Sequence, residues 1–206
     1  MRKGFHDKLK LFVWEKPVFG AQGLEVTEEM RLTIAACAVR MILFLDYSHY
    51  DPLKEIVVYP AAYAHPKDGA VFLGEAHQFG TVVLSWAAVE AGLRNECDGH
   101  ETAAHEFAHV LDQGNQAFDG TPRLRAREDY RPWALVMSRH FLALRDGAPR
   151  QRAVLRTYGG KNESEFFAVA TEAFFEKPRQ MRELLPDLYA ELRRFYGFDP
   201  ASSHPC

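Results

Sequence analysis

The sequence predicts a single α+β domain in which a small β-sheet is backed by several helices. Two apolar segments, Ile56–Tyr59 and Thr81–Ser85, have the length and composition of buried strands. From residue 101 onward the apolar residues mostly follow helical spacing. The chain has 206 residues, 47% of them hydrophobic, and is long enough to bury one core. We therefore expect one domain over residues 1–197 and a flexible tail over 198–206.

The first half of the chain supplies the predicted sheet. A short helix is expected around Leu9–Trp14, and Thr27 is expected to cap a helix that runs to about Leu45. Three strands are expected next, at 56–59, 71–73 and 81–85. The last leads directly into a short helix, Trp86–Leu93.

The second half is predicted to be helical, with one long connection. Residues 114–128 are rich in Gly, Asn and Asp, and a loop of this length often has a function. The helices are expected at 101–113, 130–146, 150–156, 163–176 and 179–196.

Charge and composition exclude several classes of protein. A net charge of −3 and a pI of about 6.3 argue against direct binding to nucleic acid. The longest apolar run, Thr33–Leu45, contains Arg40 and is too short to cross a membrane. Three widely spaced cysteines suggest neither a disulfide framework nor a cysteine zinc site. We therefore expect a cytoplasmic protein that does not act on membranes.

The most informative motif is His105-Glu106-Phe-Ala-His109, an H-E-x-x-H sequence on a predicted helix. At about 100° per residue the two histidines lie about 40° apart, on one face, so that both can bind one ion. Neutral imidazole is a good zinc ligand, and zinc lowers the pKa of a bound water toward ~7. Glu106 is placed to take the proton of this water as general base. The motif therefore predicts a zinc-dependent hydrolase.

A third metal ligand is required, and the helix 163–176 offers two candidates. This helix is apolar on nearly every side, yet it carries Glu165 and Glu172, and a buried carboxylate needs a partner. The two residues lie within about 20° of each other on the helix. Asn162 also suits the N-cap position, with Glu165 as its capping-box partner. On physical grounds alone, either glutamate can be the ligand.

Four segments are characteristic of one family: HEFAHVLD at 105–112, NESEFF at 162–167, EIVVYP at 55–60 and VVLSW at 82–86. In these segments the chain resembles the Mlc titration factor A family of zinc metallopeptidases. The resemblance extends over nearly the whole chain, from Phe12 to Pro200. The resemblance implies a zincin-like fold and a peptidase of the gluzincin type, with one Zn²⁺ per chain.

The catalytic domain of anthrax lethal factor is similar in plan, and it implies two further assignments. The third ligand there is the second Glu of an N-E-x-E-F-F segment, which corresponds to Glu165. A tyrosine seven residues earlier, which corresponds to Tyr158, points at the reacting carbonyl, where a phenol O–H stabilises an oxyanion. The large additional domains of lethal factor are absent, so its protein substrate is not implied.

The family resemblance implies peptide or protein substrates and aminopeptidase-like activity on small ones. It also implies a second candidate function, because a well-known member binds a glucose-responsive transcriptional repressor. In that alternative the protein sequesters a repressor or another protein partner, and hydrolysis is secondary.

Three further residues or segments have open assignments. Asp112 either orients a histidine through its second ring nitrogen or lies in solvent at the end of its helix. Strand 81–85 either lies at the edge of the sheet, where it pairs with an extended substrate, or is internal. His77 is a candidate for the rim of the active-site cleft.

Overall fold

A computed structural model of the chain describes residues 2–64, 71–72, 74–76, 80–115 and 118–202. Its helices and short strands confirm the predicted α+β class. The chain divides into two compact units. The first comprises Met1–Asn95 and Glu101–Val110, and the second comprises Glu96–His100 and Leu111–Cys206.

Among its described residues, the first unit contains the strands and four α-helices. Helix α4 begins in this unit and ends two residues beyond it. In chain order the elements are α1 Arg2–Glu15, β1 Val18–Gly20, α2 Glu28–Met41, β2 Glu55–Tyr59, β3 Tyr63–Ala64, β4 Val71–Phe72, β5 Gly74–Ala76, β6 Thr81–Ser85, α3 Trp86–Arg94 and α4 Thr102–Asp112.

Four strands form one sheet in the order β1-β2-β6-β5. Strands β1, β2 and β6 are parallel, and β5 is antiparallel to β6. Val83 of β6 faces Val57 on one side and Glu75 on the other. The edge alternative for this strand is therefore wrong and the internal one is confirmed, and β5 occupies the edge beside it.

Helix α2 begins where the sequence predicts. The Thr27 hydroxyl accepts a hydrogen bond from the Met30 N–H at 3.2 Å, as an N-cap does. The helix ends at Met41, earlier than expected. Beyond its end, the Lys8 ammonium donates to the carbonyls of Ile42 and Leu45 at 2.7 and 2.5 Å, and the Ile42 carbonyl also accepts the Leu45 N–H at 3.1 Å.

An aromatic cluster packs against the apolar side of α4. The Phe107 ring lies 6.0 Å from that of Phe12 and 5.8 Å from that of Tyr50, and all three side chains are buried. Ala103, Ala104 and Phe107 are at most 1% exposed. Burial of this face holds α4 in place and leaves its polar face for the motif histidines.

The second unit is helical. Its elements are α5 Tyr130–Arg145, α6 Pro149–Val154, α7 Glu163–Glu176, α8 Pro178–Leu184 and α9 Pro186–Tyr196. The single helix predicted over 179–196 is wrong, because Pro186 lacks an N–H and disfavours helical geometry at Leu185, which has φ −131° and ψ 57°. Pro186 instead begins α9.

Helix α7 is the core of this unit. Its Phe167 ring lies 5.7 Å from Trp133 and 6.1 Å from Phe195, and its Phe174 ring stacks on Tyr196 at 5.3 Å. Twelve of its fourteen residues are buried. A helix enclosed on all sides explains why its sequence has no polar face.

Three further sequence expectations concern the cysteines, membrane spans and the C-terminal tail. Cys37 is buried and free, and burial raises its pKa to about 12. Within the described ranges, no helix combines the length and apolar character that a membrane span needs. Pro200 and Ala201 are buried, and residues 203–206 of the predicted tail lie outside the described residues.

Candidate metal centre and active site

Helix α4 presents His105 and His109 one turn apart. Their Nε2 atoms lie 3.2 Å from each other, and their rings meet edge to face at 4.9 Å. Two nitrogens bound tetrahedrally to one zinc at ~2.05 Å lie about 3.3 Å apart. The imidazoles therefore already have the spacing that a shared ion requires.

A carboxylate completes the donor set. The ligand atoms of His105, His109 and Glu165 all lie within 4.8 Å of one another, so this His-His-Glu group could hold a metal ion. Two imidazoles and one carboxylate leave a fourth position open, as in catalytic zinc centres. The two imidazoles therefore have the spacing of ligands to one ion, and the donor types of the whole set suit a metal such as zinc.

The N-terminus of α7 positions Glu165. The Asn162 side chain accepts a hydrogen bond from the Glu165 N–H at 2.9 Å, so the predicted N-cap is confirmed. The Glu165 carboxylate accepts a hydrogen bond from the Tyr158 hydroxyl at 3.2 Å. Capping by Asn162 thus uses the backbone of Glu165 and leaves its carboxylate for other contacts.

Glu172 has a different partner. Its side chain is fully buried and forms an ion pair with Arg156. This pairing answers the burial problem that the sequence raises, because the guanidinium compensates the buried carboxylate. Glu172 does not belong to the His-His-Glu group.

Glu106 is 5% exposed and lies against the edge strand β5. A Cβ atom placed on Gly74 would stand 2.6 Å from the Glu106 Oε1 atom, closer than real Cβ contacts allow. Sequence reasoning missed Gly74. The available signal was a glycine within a short strand, which often marks the close approach of another group.

Asp112 is fully buried at the end of α4, so the solvent-exposed alternative is wrong. Its Oδ2 atom accepts hydrogen bonds from the Ser164 hydroxyl at 2.7 Å and the Gly120 N–H at 3.0 Å. Ser164 precedes Glu165, so Asp112 fixes the first turn of α7. Orientation of a histidine by Asp112 stays a prediction.

Tyr158 lies in a 3-10 turn, Thr157–Gly160, just before α7. Its side chain is 39% exposed, and the Lys161 ammonium lies 4.1 Å from the centre of its ring. His77, the remaining candidate of the sequence analysis, lies outside the described residues.

An α+β fold with an H-E-x-x-H helix and a His-His-Glu group has the plan of a zincin-like metallopeptidase. The chain belongs to the family described as glucose-regulated metallo-peptidase M90, whose model matches residues 1–197. The resemblance recognised in the sequence is thereby confirmed.

Relatives share most of the chain at moderate identity. An uncharacterized protein of Synechocystis, slr2042, is 34% identical over 97% of this chain and 77% of its own length. The Mlc titration factor A of Edwardsiella ictaluri is 30% identical over 90% of this chain and 76% of its own. That of Pectobacterium atrosepticum is 28% identical over 95% and 80%, respectively.

Proposed function

We propose that the chain is a zinc-dependent peptidase formed by one domain over residues 1–197. The observation that carries the proposal is the group of His105, His109 and Glu165, together with membership of a metallopeptidase family. These three residues would hold the zinc. When bound, zinc acts as a Lewis acid that polarises the scissile carbonyl and makes water more acidic.

Glu106 is the proposed general base. It follows His105 directly on α4, and its side chain is buried. Bulk water therefore solvates the carboxylate little, and the carboxylate can accept a proton from a water bound beside it. In this scheme Glu106 takes a proton from the attacking water and then delivers it to the leaving amine. The C–N bond breaks, and the products are a carboxylate and an amine.

Tyr158 is the proposed oxyanion donor. Its hydroxyl already contacts Glu165 at 3.2 Å, which shows that the phenol reaches a proposed metal ligand. As the carbonyl oxygen becomes negative, a hydrogen bond from the phenol O–H stabilises it more than it stabilises the neutral substrate.

The edge strand β5 is the proposed substrate platform. Only β6 pairs with it among the described strands, and Gly74 places its backbone against Glu106. An extended peptide that pairs with β5 would add a strand to the sheet and bring its own backbone close to the general base.

The test compares the wild type with Glu106→Gln, both loaded with zinc, on a mixed peptide library read by mass spectrometry. We expect cleavage by the wild type and a rate at least about 100-fold lower for the variant, because general-base catalysis contributes roughly 10²–10⁴. The cleaved bonds also report whether the enzyme is an aminopeptidase. If both proteins hold zinc and neither cleaves, the peptidase proposal fails.

A second candidate function is regulation through binding of a transcriptional repressor. It is favoured by the name of two relatives, Mlc titration factor A, and by the exposure of two large apolar side chains, Trp14 of α1 (82%) and Phe19 of the edge strand β1 (52%). In this case Glu106→Gln keeps full partner binding. The cytoplasmic location stays a prediction.

A further inference from the structure

A fully buried carboxylate in α7 is left without a role by the peptidase scheme. Glu172 is 0% exposed, and its Oε1 atom contacts the Arg156 Nη2 atom. The Arg156 side chain is 29% exposed, so the pair joins the interior of the second unit to its surface. A buried ion pair contributes little net stability, because the cost of desolvating both charges offsets their attraction, so stability alone does not account for this pair.

Arg156 directly precedes the turn that carries Tyr158. Its guanidinium carbon lies 5.8 Å from the centre of the Tyr158 ring, within the range of a cation–π contact. The backbone of the turn is also fixed, because a Cβ atom on Gly159 would lie 3.1 Å from Val169 of α7. The backbone of the turn is therefore closely packed against α7, and Arg156 contacts the ring of Tyr158 within the turn.

Two glutamates on one face of α7 bind neighbouring side chains of this segment. Glu165 and Glu172 are seven residues apart, two helical turns, and lie within about 20° of each other. Glu172 binds Arg156, and Glu165 accepts the hydrogen bond of the Tyr158 hydroxyl at 3.2 Å. The chain of contacts thus runs from Glu172 through Arg156 and Tyr158 to the proposed metal ligand.

Tyr158 needs such support because it is 39% exposed. A tyrosine with an exposed ring can turn about its side-chain bonds, and a hydroxyl that is misplaced by about 1 Å loses much of its effect on a reaction. The Arg156 guanidinium lies near the ring and limits its rotation, and the ion pair with Glu172 holds the guanidinium in place.

We propose that the buried Glu172–Arg156 pair is a positioning device that holds the Tyr158 ring so that its hydroxyl stays directed at the proposed metal centre. Arg156 and Glu172 are positioning residues, since they act through Tyr158. The link to peptide hydrolysis rests on the proposed function, whereas the control of the ring does not.

A double-mutant cycle on hydrolysis separates this role from a structural one. We expect Arg156→Gln to lower kcat about tenfold with little change in KM, a size typical of coupling between contacting residues. In a Tyr158→Phe background the same substitution should have no further effect, and Arg156→Lys should recover part of the loss. An equal loss in both backgrounds would overturn the proposal.

A matched control is available in the same unit. Arg194 pairs with the buried Glu191 at 2.8 Å, and Arg194→Gln should leave kcat unchanged. Arg156 is partly exposed, so its variants test the pair even where Glu172→Gln folds poorly.

A second readout needs no activity. In protein labelled with 3-fluorotyrosine, the ¹⁹F signal of Tyr158 is assigned by its loss in Tyr158→Phe. Arg156→Gln should shift and narrow this signal as the ring gains freedom, with and without zinc, while Arg194→Gln should not. If no peptide is cleaved by the wild type, the proposed function fails, and this spectrum still decides the positioning role: an unchanged signal overturns it.

Discussion

At the scale of single residues, His140 illustrates how neighbours set the charge state of a buried group. Its Nε2 atom lies 3.0 Å from the Asp187 carboxylate and its Nδ1 atom 3.1 Å from the Gln151 amide nitrogen. A neutral ring satisfies both contacts, because Nε2–H donates to Asp187 while Nδ1 accepts from Gln151. Burial, and then the nearby Arg139 charge, lower the pKa of His140 to about 4.

This arrangement predicts a loss of stability in mild acid. Between about pH 6.5 and 4 the unfolded chain protonates this histidine while the folded chain does not. The free energy of unfolding therefore falls as the pH falls, by about 1.4 kcal/mol per pH unit at most. Gln151→Glu places a carboxylate at Nδ1, raises the pKa of His140 and reduces this loss. Urea unfolding at pH 7.5, 5.5 and 4.5 measures the free energy of unfolding of the wild type, of Gln151→Glu and of a control, Gln180→Glu, at an exposed position. An equal pH dependence in the three proteins contradicts the explanation.

At the scale of elements, the sequence predicts what depends on local patterns. The spacing of His105 and His109 predicts that both lie on one face of α4. The hydrogen-bonding side chains of Thr27 and Asn162 predict the two helix N-caps. Strands β1 and β5 have three residues each and owe their pairing to distant segments, so no local pattern announces them. Partners separated along the chain, such as Arg156 for Glu172, are beyond sequence reasoning for the same reason.

The edge strand β5 makes a prediction of its own at Gly74. Gly74→Ala brings a methyl group to 2.6 Å from the Glu106 carboxylate, which must then move. We expect kcat to fall on the order of 100-fold, as for other small displacements of catalytic groups, with zinc affinity retained. Gly4→Ala is the control, because nothing lies within 4 Å of its Cβ position. Full activity of Gly74→Ala would contradict the general-base role of Glu106, unless a structure of the variant shows that the backbone of β5 has shifted away from Glu106.

At the scale of the whole molecule, metal binding is linked to folding. A ligand that binds only the folded chain stabilises it by RT ln(1 + [L]/Kd), about 2.7 kcal/mol at one hundred times Kd. For a chain of 206 residues this corresponds to a rise in Tm of roughly 5–10 °C. Zinc should therefore raise the Tm of the wild type by this amount, and a chelator should reverse the rise.

The same linkage decides which glutamate is the third ligand, the question that residue spacing leaves open. Glu165→Gln removes a member of the His-His-Glu group, so its Tm should respond little to zinc. Glu172→Gln breaks the buried pair with Arg156 and should lower the Tm of the metal-free protein, yet its response to zinc should persist. Thermal unfolding of both variants with zinc and with chelator measures this. A zinc response that is kept in Glu165→Gln and lost in Glu172→Gln would reverse the assignment. Loss of a metal ligand abolishes the rise in Tm with zinc, whereas loss of a structural carboxylate lowers the Tm with and without zinc.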